Sequence, residues 1–286
     1  MIAFGYNIFF KNEPTLNQNS IFNNTISYII VKEQNNITSF ESSNWIELNN
    51  RNIRYHRFTE HNYWGFEIKN IITFIWDSNQ KSIKYIKQKN YSKEALLYWT
   101  LHTFLPMALQ LEQIYTILHV GAIEVNNEAI ILSAPSFGGK STLVGHFLQK
   151  GHALLSDDTL AIHKSNQLYY AIPSYPFYRP YRNAESLGKE TKAIAYTSKP
   201  INSIYILQKS TSNSSIEIIE IFGIEKFKAL NNALFIDFDN IKKESFIFLM
   251  EFTNNVSIYN INIPWDKDRL GEVYESIIKK TKKSSL

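Results

Sequence analysis

Ile131-Leu-Ser-Ala-Pro-Ser-Phe-Gly-Gly-Lys-Ser-Thr142 is the stretch on which the fold turns. Ala134 to Ser141 follows the pattern G-x-x-x-x-G-K-[ST], with alanine where the first glycine usually stands. The apolar run Ala129 to Leu132 ahead of it reads as a buried strand. Behind it, Leu143/Phe147 and Val144/Leu148 recur at i, i+4 and predict a helix over Ser141 to Lys150, which Gly151 stops. A strand, a glycine loop and a helix in this order make a cradle for phosphate groups.

The residue types fit that chemistry. Gly138 and Gly139 let the backbone turn sharply and bring N–H groups against a polyphosphate, and the helix start adds unpaired N–H groups and its positive dipole end. Ser136, Phe137, Gly138, Gly139, Lys140, Ser141 and Thr142 form the expected nucleotide contact. Lys140 would neutralise the β- and γ-phosphates and Ser141 would hold a magnesium ion through its hydroxyl. The plain alternative is a glycine turn with an incidental lysine.

A helix of this length is roughly 15 Å long. It returns the chain so that His152 to Ser156 can form a strand beside the first, which sets Asp157 and Asp158 at the same sheet edge as Lys140. Two adjacent carboxylates there can divide the work. One holds magnesium or its water, and the other takes the proton of an attacking hydroxyl. On its own, Asp-Asp also reads as a turn before a strand at Thr159 to His163.

The rest of the chain supplies the setting. Its 286 residues allow one large or two ordinary domains, and 44% hydrophobic and 14% aromatic content suffices for packed cores. A net charge of +4, spread along the chain, does not favour nucleic acid. The absence of cysteine removes disulfides and thiolate metal sites. No apolar stretch approaches the roughly 20 residues that span a bilayer, and the N-terminus lacks a signal pattern, so a cytoplasmic protein with no membrane partner is expected.

Residues 1–90 show short apolar runs between polar turns and are expected to form a β-rich domain, with Trp45, Trp64 and Trp76 either in its core or lining a peptide groove. Residues 91–114 read as a linking helix that Ser92 caps, apolar nearly all round despite Pro106. Residues 115–286 form the loop-bearing domain, in which a strand from Tyr115 to Val120 delivers His119 and a hairpin turns at Asn126-Asn127. Beyond the aspartates, a hairpin turns over Lys164 to Gln167, and an irregular segment carries Arg179 and Arg182. These arginines either stabilise anionic charge near the loop or stack on neighbouring tyrosines. Residues 184–199 read as a loop. Strands are expected at Ser203 to Leu207, Ile216 to Phe222, Phe246 to Met250 and Val256 to Ile261, and helices at Gly223 to Leu234 and Asp266 to Lys280.

Leu118-His119 with the strand to Val125, the loop from Ala134 to Thr142, and Gly151-His-Ala-Leu-Leu-Ser-Asp-Asp158 together resemble the catalytic core of HPr kinase/phosphorylase and the smaller HPr kinase-like proteins, including those that phosphorylate ribosomally made precursor peptides. The resemblance runs from Leu118 to Ile162 and places His119, Lys140, Ser141, Asp157 and Asp158 in register with the family. It implies an α/β P-loop HPr kinase-like domain preceded by a small β-rich domain. It also implies ATP and Mg2+ as cofactors, and transfer of the γ-phosphate to a serine hydroxyl of a peptide or protein partner. Catalysis would fall to Asp158, Asp157, His119 and Lys140, with Ser141 and Asp157 on the metal. A homo-oligomer is also in keeping with the family. The family's glutamate- and glycine-rich segment is absent here, where Ser174 to Arg182 stands instead. A small-molecule hydroxyl kinase and a non-catalytic nucleotide-binding module are the competing readings.

Overall fold

The computed structural model describes the chain except residues 18–22, 36–39, 49, 59–62, 181–184, 237, 240 and 285–286. It is a mixed α/β protein of two compact units, one comprising Met1–Ala108 with Arg182–Leu187 and the other Leu109–Tyr181 with Gly188–Leu286.

The first unit holds β1 (Ile2–Ala3), β2 (Tyr6–Phe10), β3 (Tyr28–Glu33), β4 (Phe40–Ser42), β5 (Ile46–Leu48), β6 (Arg51–Phe58), β7 (Tyr63–Ile68), β8 (Ile72–Asp77) and β9 (Ser82–Lys87). They form one sheet in the order β1-β2-β3-β9-β8-β7-β6-β4, with β5 also on β6. Strand β8 is buried along its whole length. Trp76 is a core residue, Trp64 packs its ring 4.9 Å from that of Phe104, and Trp45 lies at the surface under the Arg54 guanidinium.

A helical segment follows as α1 (Lys93–Tyr98), a π-helical stretch (Trp99–Phe104) and α2 (Leu105–Leu111). Ser92 Oγ accepts from the Ala95 N–H and caps it as expected. The Leu105 N–H reaches back to Thr100 O, a widened turn directly ahead of Pro106, whose ring and missing N–H would break a regular ladder.

The second unit contains β10 (Thr116–Leu118), β11 (Gly121–Val125), β12 (Glu128–Ser133), α3 (Lys140–Gln149), β13 (Ala153–Ser156), β14 (Leu160–Ser165) and β15 (Leu168–Ile172). A short ribbon of β16 (Phe177–Tyr178) and β17 (Lys189–Glu190) follows. The chain then continues through β18 (Lys199–Ser210), β19 (Ile218–Glu220), α4 (Ile224–Asn231), α5 (Lys242–Asn255), β20 (Ser257–Pro264) and α6 (Leu270–Ser284). The main sheet runs β10-β14-β15-β18-β12-β11-β13, with β20 also on β18 and β19 on β20. Strands β12, β18 and β20 are parallel neighbours.

The unbroken apolar run of β12 is explained by helices on both faces. Ile131 joins Ile204, Ile258, Leu230, Leu249 and Phe252 on the side of α4 and α5. Ile130 and Leu132 join Leu143, Phe147, Tyr205, Ile261 and Val273 on the side of α3 and α6.

Two expectations are corrected. Strand β13 does not lie beside β12, because β11 stands between them, antiparallel to both. The hairpin turn at Asn126 (φ 52°) and Asn127 (φ 66°) claims the neighbouring position first, and the crossover through α3 spans one strand further. Since β12 and β13 still run the same way, their carboxyl ends share one edge. Phe246 to Met250 is not a strand but the middle of α5. Ser245, Leu249, Phe252 and Thr253 are buried there at helical spacing, while Phe246 and Ile247 are exposed.

Candidate active site

The loop between β12 and α3 takes its shape from two left-handed residues, Phe137 (φ 62°) and Gly139 (φ 87°). Gly138 is required for a different reason. A Cβ there would stand 2.8 Å from Ala134 Cβ and 2.9 Å from Pro135 O, and its N–H closes the turn on that same carbonyl. Helix α3 then opens at Lys140, one residue earlier than the periodicity predicts.

Lys140 is buried, and its stem lies against β11 at Gly121, where a Cβ would meet Lys140 Cγ at 3.2 Å and Val144 Cγ2 at 2.9 Å. A glycine in a strand is the usual mark of such a close approach, and Gly121 at the start of β11 carries that signal in the sequence.

The Lys140 ammonium stands 3.4 Å from Asp158 Oδ1. His119 Nε2 approaches the same oxygen at 3.3 Å. Arg179 donates from its guanidinium to Asp158 Oδ2 at 3.2 Å, and from its main-chain N–H to Asp157 Oδ2 at 2.6 Å. Three nitrogen-bearing side chains from separate elements therefore converge on one carboxylate. The His119 backbone is fixed from behind, since its main-chain N–H donates to Ala233 O at 2.6 Å. Arg179 is held by the β16–β17 ribbon, whose Gly188 (φ 92°) leaves no room for a side chain against Tyr178 O and Arg179 Cγ.

Both aspartates are buried. Burial pushes the Asp157 carboxyl above the usual carboxylate range. The Arg179 N–H opposes that rise, the Asp158 charge adds to it, and Lys140 and Ser141 oppose it again. Asp157 Oδ1 is buried without a hydrogen-bond partner.

The structure thus brings together His119, Lys140, Asp157, Asp158 and Arg179, and places Ser136, Phe137, Gly138, Gly139, Ser141 and Thr142 on the loop or the first turn beside them. Arg182 lies outside the described residues. The His152 ring nitrogens lie 3.2 Å from Glu124 O and 3.0 Å from Tyr274 Oη.

The residues fit a magnesium polyphosphate. Among the described residues no three His, Asp or Glu side chains form a self-contained metal cage. Magnesium is commonly held by one or two carboxylates together with substrate phosphates, and Asp157, whose Oδ1 has no hydrogen-bond partner, would offer one such ligand beside Ser141.

No family model matches this chain, and no curated protein matches it. Among solved structures it is similar to the HPr(Ser) kinase/phosphatase from Coxiella burnetii, at 11% identity over 58% of this chain and 95% of that one, with a TM-score of 0.36. The likeness is distant.

Proposed function

We propose that the protein is an ATP- and magnesium-dependent phosphotransferase that phosphorylates a serine hydroxyl on a peptide or protein. The observation that carries this reading is the buried Lys140 ammonium, at the start of a helix behind a glycine loop, 3.4 Å from a carboxylate that His119 and Arg179 also hold.

In this reading the loop N–H groups and Lys140 take the triphosphate, so that Lys140 exchanges its Asp158 partner for phosphate oxygens. Asp157 and Ser141 would hold a magnesium ion, which would supply positive charge to the transferring group. Asp158, relieved of Lys140, accepts the proton of the acceptor hydroxyl as its oxygen bonds to the γ-phosphorus and the bond to ADP breaks. His119 Nε2 stands beside the oxygen that receives the proton. Arg179 steadies the negative charge that spreads over the transferring oxygens.

A peptide acceptor is supported by a cleft of about 710 Å³ that includes His119, Ser136, Gln208, Asn232 and Asn260. A side-chain amide offers a donor and an acceptor together, the complement of a peptide backbone. No membrane-length apolar helix occurs among the described residues.

Calorimetry of magnesium-ATP with the wild type and Lys140→Ala tests the nucleotide site. Binding is expected to be lost or much weakened in the variant, and a wild type that binds no nucleotide would remove the kinase reading. Labelled ATP offered to serine-containing peptides and to free serine or polyols then tests the acceptor. Transfer to the small hydroxyl compounds alone would replace the peptide assignment.

A further inference from the structure

We propose that Trp265 is the platform for the nucleotide base. This rests on the reading of the glycine loop as a polyphosphate cradle.

The loop has two distinguishable sides. In a loop of this kind the backbone N–H groups hold the α- and β-phosphates and the lysine reaches the β- and γ-phosphates. The terminal end of the polyphosphate therefore lies where Lys140 meets Asp158, and the cleft that shares His119 with that cluster borders the reacting end. The nucleoside must leave in the other direction. There a separate cavity of about 130 Å³, on the α3 and α6 side of the sheet, is lined by Gly139, Thr142, Leu207, Ile263, Trp265 and Leu270. No residue of the His119, Asp157, Asp158 and Arg179 cluster lines it. Leu207, Ile263 and Pro264 set it at the carboxyl-terminal ends of β18 and β20, the edge at which open α/β sheets bind ligands.

Its size suits one heterocycle, and its chemistry suits stacking. Trp265 is 45% exposed, whereas Trp76 and Trp99 are buried. Its ring stands close to the loop, since a Cβ on Gly139 would lie 3.4 Å from Cζ3. The Lys209 ammonium sits 4.1 Å from the ring centroid, which orients the indole. An aromatic face binds any base, with tolerance for its identity. Two charged residues also line the cavity, Asp266, whose Oδ1 accepts from the Asp268 N–H at 3.0 Å, and Lys267.

The test is calorimetry of the full chain with magnesium and, separately, ATP, GTP or inorganic tripolyphosphate, on wild type, Trp265→Ala and Trp265→Phe. Trp265→Ala is expected to weaken ATP and GTP alike by about tenfold, the scale of one stacking contact. Tripolyphosphate binding should not change, and Trp265→Phe should recover most of the loss. If ATP binding is unchanged in Trp265→Ala, the platform is overturned. If wild type binds tripolyphosphate and ATP equally well, the base assignment fails while the phosphate cradle stands. If it binds none of the three, the cradle reading fails and the base assignment falls with it.

Discussion

His119 Nε2 lies 3.3 Å from Asp158 Oδ1, a contact between the residue group ahead of β11 and the one that follows β13. The same carboxylate answers Lys140 and Arg179, so in the proposed reaction replacing it acts on charge and proton transfer together. On that mechanism Asp158→Asn keeps the shape and removes the proton acceptor. We expect phosphate transfer to fall by about 100- to 10,000-fold. Magnesium-ATP affinity should hold or rise, because the carboxylate no longer competes for Lys140. Transfer near the wild-type rate in a folded Asp158→Asn protein would end its assignment as the base.

Gly188 and Gly151 allow a paired comparison. Both have left-handed backbones, with φ of 92° and 91°, yet a Cβ at Gly151 meets nothing within 4 Å while one at Gly188 runs into Tyr178 O and Arg179 Cγ. Alanine at either position should cost stability on the order of 1 kcal/mol from the backbone alone. Only Gly188→Ala should also displace Arg179 from Asp157 and Asp158, and so lower transfer well beyond the effect of Gly151→Ala. Thermal melts with parallel activity assays separate the two costs. Equal activity in both variants would show that Arg179 needs no such positioning.

The legible parts of this protein are those whose chemistry is local. The loop from Ala134 to Ser141, the asparagine turn of the β11–β12 hairpin and the Ser92 cap are each decided by a few adjacent residues, and each stands where the sequence puts it. What the sequence leaves open depends on distant partners. Nothing in Ala153 to Ser156 says that β11 will stand between β13 and β12. Gly188 gains its meaning from Tyr178 and Arg179, and Trp265 from Gly139 and Lys209. Asp157 and Asp158 are identical in type, and only the fold tells them apart, giving one an unpartnered oxygen and the other three nitrogen neighbours.

Helix α5 shows how a short apolar run misleads, and it makes a prediction. Five consecutive apolar residues fit a strand or a helix equally well, and burial decides between them. Leu249 is 0% exposed and Phe246 is 53% exposed. Leu249→Ala should therefore cost about 2–5 kcal/mol, as truncations in a packed core do. Phe246→Ala should cost less than about 0.5 kcal/mol, as surface changes do. Urea denaturation of the two variants checks this, and a larger loss for Phe246→Ala would contradict the helical register.

The last prediction concerns pH and the first unit. Glu67 is buried among His56, Arg54 and Gln88, with contacts of 2.9, 2.7 and 2.9 Å. Burial alone would raise its pKa, but the hydrogen bonds from His56, Gln88 and Arg54 outweigh it and hold the carboxyl down at about 2. A carboxyl held below its unfolded value of about 4.3 releases its proton more readily in the folded state. Its stabilising contribution is then complete above that unfolded value and is lost as pH falls through about 2. Glu67→Gln lacks this contribution. The stability gap between wild type and variant, measured by urea denaturation, should be widest at about pH 6 and clearly narrower at about pH 3. A gap that stays constant over that range would mean that the Glu67 charge does not supply the difference.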